Sequence, residues 1–231
     1  MRRFVAEGAR VVAVARRKER LEALAESLSG EPGSVLPYPG DVSDSATNEG
    51  MIDADIKEFG RLDAVVNNAG VMDHMDPIDQ ATDETYHNVM DINVYGPFCA
   101  MRKAVQVFRE QGDGGAIVNV SSGGAIKAAA GPIYAASKAA VIAMTRDTAY
   151  MYRNEKIRVN AILPGGFQTE IGSSMGMPNM DGYGRLDPVL KTSPALGDVK
   201  DIANAAPFLV SDEAAYVNGV MLPVDGGWMA S

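Results

Sequence analysis

The sequence of 231 residues contains one cysteine, one tryptophan, two histidines and no long apolar run. The single cysteine, Cys99, excludes a disulfide bond within the chain, and its apolar surroundings predict a buried core residue. No apolar run approaches the ~20 residues that a membrane-spanning helix needs. The first residues lead into no signal-peptide core. We therefore expect a cytoplasmic protein without a membrane partner.

Basic residues are fewer than acidic ones: the chain has 21 Lys and Arg and 30 Asp and Glu, which gives a net charge of -9. Binding nucleic acid without sequence preference requires a basic surface, so we expect no nucleic-acid partner. Hydrophobic residues make up 46% of the chain and charged residues 22%, which is typical of a globular protein. The length fits one domain, residues 1–231, with a substantial core.

Short β-branched runs alternate with longer helical patterns along the chain. Strands are predicted at residues 10–15, 34–37, 62–67, 116–121, 157–163 and 220–224. Helices are predicted at residues 18–28, 43–59, 82–110, 133–154 and 199–210. This alternation indicates an α/β fold with βαβ units and a doubly wound, mostly parallel sheet. Ligands of such sheets bind at the carboxyl ends of the strands.

Tyr134 and Lys138 are the first candidates for chemistry. They are four residues apart in Tyr-Ala-Ala-Ser-Lys, so on a helix they share one face. A neighbouring ammonium favours the phenolate and lowers a tyrosine pKa from its usual value of about 10. Such a phenol can donate and accept protons near neutral pH. The pair alone also fits two polar residues on a helix surface, so the rest of the chain decides its meaning.

Several further motifs lie at or near the ends of the predicted strands. They are Asn67-Asn68-Ala69-Gly70, Asn93, Val120-Ser121-Ser122, Pro164-Gly165-Gly166-Phe167-Gln168-Thr169 and Val224-Asp225-Gly226-Gly227. Together with Tyr134 and Lys138, in this order and spacing, they resemble the short-chain dehydrogenase/reductase family from about residue 4 to the C-terminus. The resemblance implies a Rossmann-type fold. It also implies an NAD(P)-dependent oxidoreductase that interconverts a secondary alcohol and a carbonyl of a small molecule by hydride transfer.

The resemblance assigns catalytic roles to four residues. Tyr134 is the general acid/base, and Lys138 lowers its pKa and holds the nicotinamide ribose. Asn93 holds a water that links Lys138 to solvent, although its motif also fits a polar residue that kinks a helix. The family pattern favours Ser122 as the serine that binds the substrate oxygen, whereas the spacing to Tyr134 matches Ser121. Because strand side chains alternate between faces, only one of the two points into the cleft, and we expect Ser122.

The same resemblance implies the cofactor-binding residues. The expected contacts, besides Tyr134 and Lys138, are Arg16, Asp41, Val42, Asn68, Ala69, Gly70, Pro164, Gly165, Phe167 and Thr169. Members that bind NAD place an acid at the end of the second family strand, on the adenosine ribose. Here Ala15 occupies that position and Arg16 follows, and a guanidinium suits the 2′-phosphate of NADP. We predict NADP rather than NAD, although a basic, solvated helix start also fits. No metal ligand is assigned.

Residues 1–8 resemble the last turns of the first family helix, and the preceding strand and glycine-rich loop have no counterpart here. That strand is central in the family sheet, so we expect the strands at 10–15 and 62–67 to lack a ladder partner. A shortened form of a longer protein is the favoured explanation. A short variant with a new closure, or a poorly ordered N-terminal part in an oligomer, also fits. An alternative function follows: a cofactor-deficient relative that binds ligands or acts as an oligomeric scaffold.

Residues 165–195 are rich in glycine and proline and contain three methionines. Their position after a strand predicts an apolar substrate lid, whereas an ordinary surface loop is the alternative. The family resemblance also implies a homodimer or homotetramer, assembled through the helices at 82–110 and 133–154 and the C-terminal strand.

Overall fold

The computed structural model describes residues 1–230, except for the side chains of residues 173 and 174. This part of the chain contains six parallel strands and nine α-helices. The strands are β1 (Arg10–Ala15), β2 (Ser34–Pro39), β3 (Ala64–Asn67), β4 (Gly115–Val120), β5 (Ile157–Pro164) and β6 (Met221–Val224). The helices are α1 (Arg2–Ala6), α2 (Lys18–Ser27), α3 (Ser45–Phe59), α4 (Asp83–Met90), α5 (Gly96–Gln111), α6 (Pro132–Tyr152), α7 (Ile171–Met175), α8 (Met180–Leu190) and α9 (Val199–Val210).

The strands are divided between two sheets. β1 pairs with β2 from Arg10↔Ser34 to Ala15↔Pro39. β3, β4, β5 and β6 pair in that order as a second sheet. Within residues 1–230 no ladder joins β1 to β3, so each has one unpaired edge. The sequence predicted that these two strands would lack a ladder partner, and the predicted doubly wound α/β fold is confirmed.

Helices cover both faces of the four-stranded sheet, because neighbouring residues of its strands point to opposite sides. Ile117 of β4 packs with Phe108 of α5 in a core cluster that α3 and α6 also enter. The next residue, Val118, packs with Leu209 of α9 in a second cluster on the other face, where Phe4 of α1 joins it. Alternation along one strand therefore serves two cores, as a doubly wound sheet requires.

Local signals fix where the helices begin and end. The Asp44 side chain accepts hydrogen bonds from the backbone N–H groups of Ala46 and Thr47 and caps α3. The helix stops at Gly60, whose φ of 88° is a conformation that favours glycine. Of the helices in residues 1–230, none has the length and apolar character to cross a membrane.

The predicted helix at 82–110 is not continuous. A π-helical turn at Asp91–Tyr95 separates α4 from α5. π turns insert an extra residue into the helical repeat and often occur at functional sites. Here the turn carries Asn93 at its centre.

Candidate active site

Tyr134 lies in the first turn of α6, at the carboxyl end of β4, and only 6% of it is exposed. The Ser122 side chain, which follows the end of β4, approaches the phenol closely enough to lower its pKa. The neighbouring Ser121 faces elsewhere, because its hydroxyl donates to the backbone carbonyl of Lys138 at 2.8 Å. Of the two serines that the sequence left as candidates, Ser122 is therefore the one at the phenol.

The Lys138 side chain is buried one helical turn after Tyr134. Its Nζ donates to the backbone carbonyl of Val120 at 3.0 Å and lies 5.7 Å from the centroid of the Tyr134 ring. Burial lowers the pKa of Lys138 to about 8. The side chain therefore keeps most of its charge at pH 7. The Val120 carbonyl at the end of β4, rather than an acidic side chain, holds the ammonium in place.

The pKa of Tyr134 moves in the opposite direction from the sequence-based expectation. Burial raises it, because the phenolate loses hydration, and the negative charge of Asp73 raises it further. The Ser122 side chain lowers it, but burial dominates. The net shift is therefore opposite to the expected one, while a lowering contribution from Lys138 stays a prediction. The phenol is held in its protonated form at neutral pH.

Asn93 is completely buried in the π turn and links three parts of the site. Its amide exchanges two hydrogen bonds with the backbone of Val71, both 2.9 Å long. It also donates to the Ser137 hydroxyl at 3.0 Å, and that hydroxyl donates to the backbone carbonyl of Tyr134 at 2.7 Å. Both amide protons are therefore used to hold the segment after β3 against α6. The predicted water relay at Asn93 stays a prediction.

Gly70 lies where Lys138 and Asn93 approach the segment after β3. A methyl group at this position would stand 3.1 Å from the Lys138 Nζ and 3.2 Å from the Asn93 Oδ1. From the sequence, this glycine is expected to let a flat cofactor ring lie close to the backbone. In the structure it also gives room to two candidate catalytic side chains, while Asn68 and Ala69 are exposed beside it.

The basic segment after β1 divides into paired and unpaired guanidinium groups. Arg17 and Arg20 both form salt bridges with Glu170. Arg16 is exposed and makes no side-chain hydrogen bond or salt bridge within residues 1–230. It lies near Asp41, whose pKa is lowered by the hydrogen bond from the Ser43 N–H and, to a smaller extent, by the Arg16 charge.

The other expected cofactor contacts lie at the carboxyl ends of their strands. The backbone carbonyl of Val42 accepts a hydrogen bond from Asn48 at the start of α3. Pro164 ends β5, and Gly165 donates to the carbonyl of Val224 at the end of β6. Phe167 bridges to Gly197, and Thr169 accepts a hydrogen bond from the first N–H of α7. The structure thus brings these residues to one edge of the fold, and their contacts with a cofactor stay a prediction.

The predicted lid contains two helices, α7 and α8, rather than only irregular loop. The N-cap of α8, Asn179, bonds Asp76 and Gln80 in the segment after β3. Met177 and Met180 are largely exposed, at 84% and 70%. The apolar side chains expected on the lid are therefore available on its surface, while their role as a lid stays a prediction.

Sequence reasoning missed two buried polar residues of this site. Ser137 lies inside the Tyr134–Lys138 motif and carries the hydrogen bond from Asn93. Asp73 is 1% exposed and accepts a hydrogen bond from the backbone N–H of Tyr134, 61 residues away. Ser137 falls on the same face as Tyr134, which was a usable signal. Nothing local in the sequence distinguishes Asp73 from a surface acid.

A cavity of about 820 Å³ lies at the other end of the sheet. Its lining includes Gly115 and Ile157, the first residues of β4 and β5. None of the candidate catalytic residues lines it, so the cavity is separate from the site at Tyr134.

Comparison with known proteins supplies relatives over almost the whole chain. The family model described as enoyl-(acyl carrier protein) reductase matches residues 1–229. The chain is 38% identical to 3beta-hydroxysteroid dehydrogenase 2 of Eggerthella lenta, over 100% of this chain and 89% of the relative. It is 34% identical to levodione reductase of Leifsonia aquatica, over 99% of this chain and 88% of the relative.

The structure agrees with these sequence relationships. A crystal structure of levodione reductase matches it with a TM-score of 0.89 and 34% identity, over 99% of this chain and 91% of that one. The motifs, the fold and the relatives point to the same conclusion. The chain belongs to the short-chain dehydrogenase/reductase family, whose members are oxidoreductases that use a nicotinamide cofactor.

Proposed function

We propose that this protein interconverts a secondary alcohol and a carbonyl, with Tyr134 as the general acid/base and NADP as the preferred cofactor. The observation that carries the proposal is the approach of the Ser122 side chain to the buried Tyr134 phenol, beside the buried ammonium of Lys138.

The chain's own residues handle the proton. Ser122 orients the carbonyl oxygen of the substrate toward the Tyr134 hydroxyl, and in reduction the phenol donates its proton to that oxygen. The raised pKa of Tyr134 keeps this proton available at neutral pH. In oxidation the phenolate accepts the alcohol proton, so that direction requires higher pH. The bound nicotinamide supplies or takes up the hydride.

Lys138 contributes a positive charge that the protein holds in place. Its ammonium is fixed by the Val120 carbonyl, so it can stabilise the phenolate that reduction leaves behind without moving. With a pKa of about 8, the ammonium is also able to release a proton in the working range of the phenol. We assign the return of a proton to Tyr134 to this side chain, with Asn93 fixing the segment beside it.

The residues after β1, where we expect the adenosine of the cofactor to bind, suit a 2′-phosphorylated cofactor. Arg16 is exposed, unpaired within residues 1–230 and adjacent to Asp41, whereas Arg17 is engaged by Glu170. A guanidinium free of other partners suits a phosphate dianion. We expect Arg16→Ala to weaken NADPH binding at least tenfold relative to NADH, and Arg17→Ala to change that ratio little. Equal effects of the two variants on the ratio would contradict the assignment.

We propose an apolar or mixed substrate, in keeping with the exposed lid methionines. The relatives named for 3beta-hydroxysteroid and levodione chemistry suggest the first compounds to test. The experiment follows NADPH consumption with levodione, a 3-ketosteroid and small ketones as substrates. Turnover of at least one that is lost in Tyr134→Phe supports the proposal.

The cofactor-deficient alternative has one observation in its favour, the unpaired edges of β1 and β3. Thermal unfolding with added NADPH separates the two functions. A ligand at 100 times its dissociation constant stabilises the folded state by about 2.7 kcal/mol. A rise in Tm with NADPH supports the oxidoreductase. An unchanged Tm up to millimolar NADPH supports a ligand-binding or scaffold protein.

We also propose a homodimer or homotetramer in the cytoplasm. Large apolar side chains are exposed on the helices expected to form the interface: Tyr95 and Phe98 around the start of α5, and Tyr150 and Met151 at the end of α6. Light scattering coupled to size exclusion checks the assembly. A mass of 24.5 kDa in solution would contradict it.

A further inference from the structure

Asp73 places a carboxylate under the N-terminus of the helix that carries Tyr134. Its Oδ2 accepts a hydrogen bond from the Tyr134 N–H at 2.9 Å, and the residue is 1% exposed. The first N–H groups of a helix lack partners inside the helix, and an acidic side chain there is stabilised by the helix dipole. α6 begins after Gly131 without a side-chain cap from its own N-cap residue. Asp73 supplies that cap from the segment after β3.

The second carboxylate oxygen fixes Asp73 itself. Its Oδ1 accepts a hydrogen bond from the N–H of Met75 at 3.1 Å. Met75 has a φ of 60°, which is uncommon for a residue other than glycine. The adjacent His74 carbonyl accepts a hydrogen bond from Asn179, the N-cap of α8. The carboxylate therefore stands in a segment that is held on its other side by the predicted lid.

The N-cap residue of α6, Gly131, leaves room for this carboxylate because it has no side chain. A methyl group on Gly131 would stand 2.3 Å from the Asp73 Oδ1 and 2.4 Å from its Oδ2. The φ of Gly131 is -64°, so its backbone conformation is open to any residue. The glycine is thus needed for the close approach of Asp73, and the two residues form one arrangement.

Within residues 1–230, three side chains act on the ionisation of Tyr134 or lie beside its ring. Ser122 approaches from the end of β4 and Lys138 from the next turn of α6, whereas Asp73 contacts the backbone N–H of Tyr134 from the segment after β3 and its charge raises the pKa of the phenol. The polar partners of the Asp73 carboxylate within residues 1–230 are the backbone N–H groups of Met75 and Tyr134. No cation is in contact with it in that part of the chain, so its negative charge acts on the phenol without a paired counter-charge.

We propose that Asp73 is a positioning residue that fixes the backbone of Tyr134 at the start of α6 and disfavours ionisation of its hydroxyl. Its hydrogen bond holds the backbone of Tyr134, and its charge opposes formation of a second negative charge nearby. The direction agrees with the contribution of Asp73 to the raised pKa of Tyr134. The inference rests on the proposed function only for its catalytic consequence, because the ionisation of Tyr134 is a property of the free protein.

The test is an NMR titration of the free protein with 13C-labelled tyrosine, in which Tyr134→Phe identifies the Tyr134 signal. Asp73→Asn keeps the size and one acceptor oxygen but removes the charge. We expect it to lower the pKa of Tyr134 by about half a pH unit or more. Asp198→Asn is the matched control, because Asp198 caps α9 and has no contact with the site. An unchanged or raised Tyr134 pKa in Asp73→Asn would overturn the inference.

A second variant keeps the test decisive if Asp73→Asn does not fold. Gly131→Ala retains the charge but displaces the carboxylate, and it should also lower the Tyr134 pKa. If the pKa is unchanged there, the inference fails.

The kinetic consequence separates this inference from the proposed function. If the protein oxidises an alcohol, the pH midpoint of kcat/KM should shift down in Asp73→Asn by the same amount as the NMR titration. A downward NMR shift in a protein without turnover supports the role of Asp73 in ionisation and contradicts the oxidoreductase proposal. A change in kcat/KM with no shift of its pH midpoint assigns Asp73 a structural role and contradicts the inference.

Discussion

The Lys138 Nζ donates a hydrogen bond to the backbone carbonyl of Val120 at 3.0 Å, across the junction of α6 and β4. This contact directs a long side chain that has no acidic partner within residues 1–230. It places the ammonium over the Tyr134 ring and next to Gly70. Because a side-chain substitution does not remove a backbone carbonyl, the end of β4 fixes the position of the Lys138 charge.

The buried ammonium makes stability depend on pH. The pKa of Lys138 falls from 10.5 in the unfolded chain to about 8 in the folded protein, so the unfolded state binds more protons between these values. The penalty for burying the charge is present in full below pH 8 and disappears as the pH rises toward 10.5. We expect Lys138→Met to be more stable than the wild type at pH 7. Its advantage should shrink between pH 8 and 10.

Urea unfolding of both proteins at several pH values measures this difference. Comparison of the pair removes the contribution of the other titrating groups, because they are common to both. An advantage that grows with pH would contradict the assignment.

The two neighbouring serines should separate chemistry from stability. Ser122→Ala removes the hydroxyl at the phenol, and we expect kcat to fall about 10²-fold with little loss of stability. Ser121→Ala removes the bond to the Lys138 carbonyl and should cost about 1 kcal/mol of unfolding free energy. Steady-state kinetics and urea unfolding on both variants check this. A larger fall in kcat for Ser121→Ala would reverse the assignment.

Gly70 should tolerate no side chain. In Gly70→Ala the methyl group presses on the Lys138 Nζ and the Asn93 Oδ1, so both must shift by a few tenths of an ångström. We expect turnover to fall about tenfold, since catalytic groups are sensitive to such displacements. Gly30→Ala is the control, because a methyl group there meets nothing within 4 Å. Equal turnover in the two variants would show that the close approach at Gly70 has no catalytic importance.

Asn93 should be important for stability whatever its part in proton transfer. Asn93→Ala leaves the Val71 backbone groups without their buried partner, and each such loss costs about 1–3 kcal/mol. We expect the free energy of unfolding to fall by about 3 kcal/mol, measured in urea. Asn88→Ala, on the exposed side of α4, is a matched control that should change it little.

The sequence predicted the regular elements closely. Each of the six strands and five longer helical patterns begins and ends within two residues of the observed limits, with α4, the π turn and α5 taken together. Strong signals caused this agreement, such as the Asp44 cap and the glycine that ends α3. The π turn escaped prediction because one extra residue leaves the apolar pattern of a helix nearly unchanged.

The proximity of the candidate site residues was predictable from the sequence, and their electrostatics less so. Strand alternation correctly indicated that only one of Ser121 and Ser122 faces the phenol. The direction of the Tyr134 pKa was wrong because helical spacing reveals the neighbouring Lys138 but not the degree of burial. Asp73 was missed because its contact with Tyr134 arises from the packing of two segments that lie far apart in the chain.

The most direct measurement is NADPH-dependent carbonyl reduction by Tyr134→Phe, beside the wild type and under identical conditions. The variant loses one hydroxyl, so circular dichroism and Tm should match the wild type closely. We predict that kcat falls at least about 10³-fold, because general acid catalysis by the phenol is lost. Full activity in a correctly folded Tyr134→Phe protein would contradict the role of Tyr134 as the general acid/base.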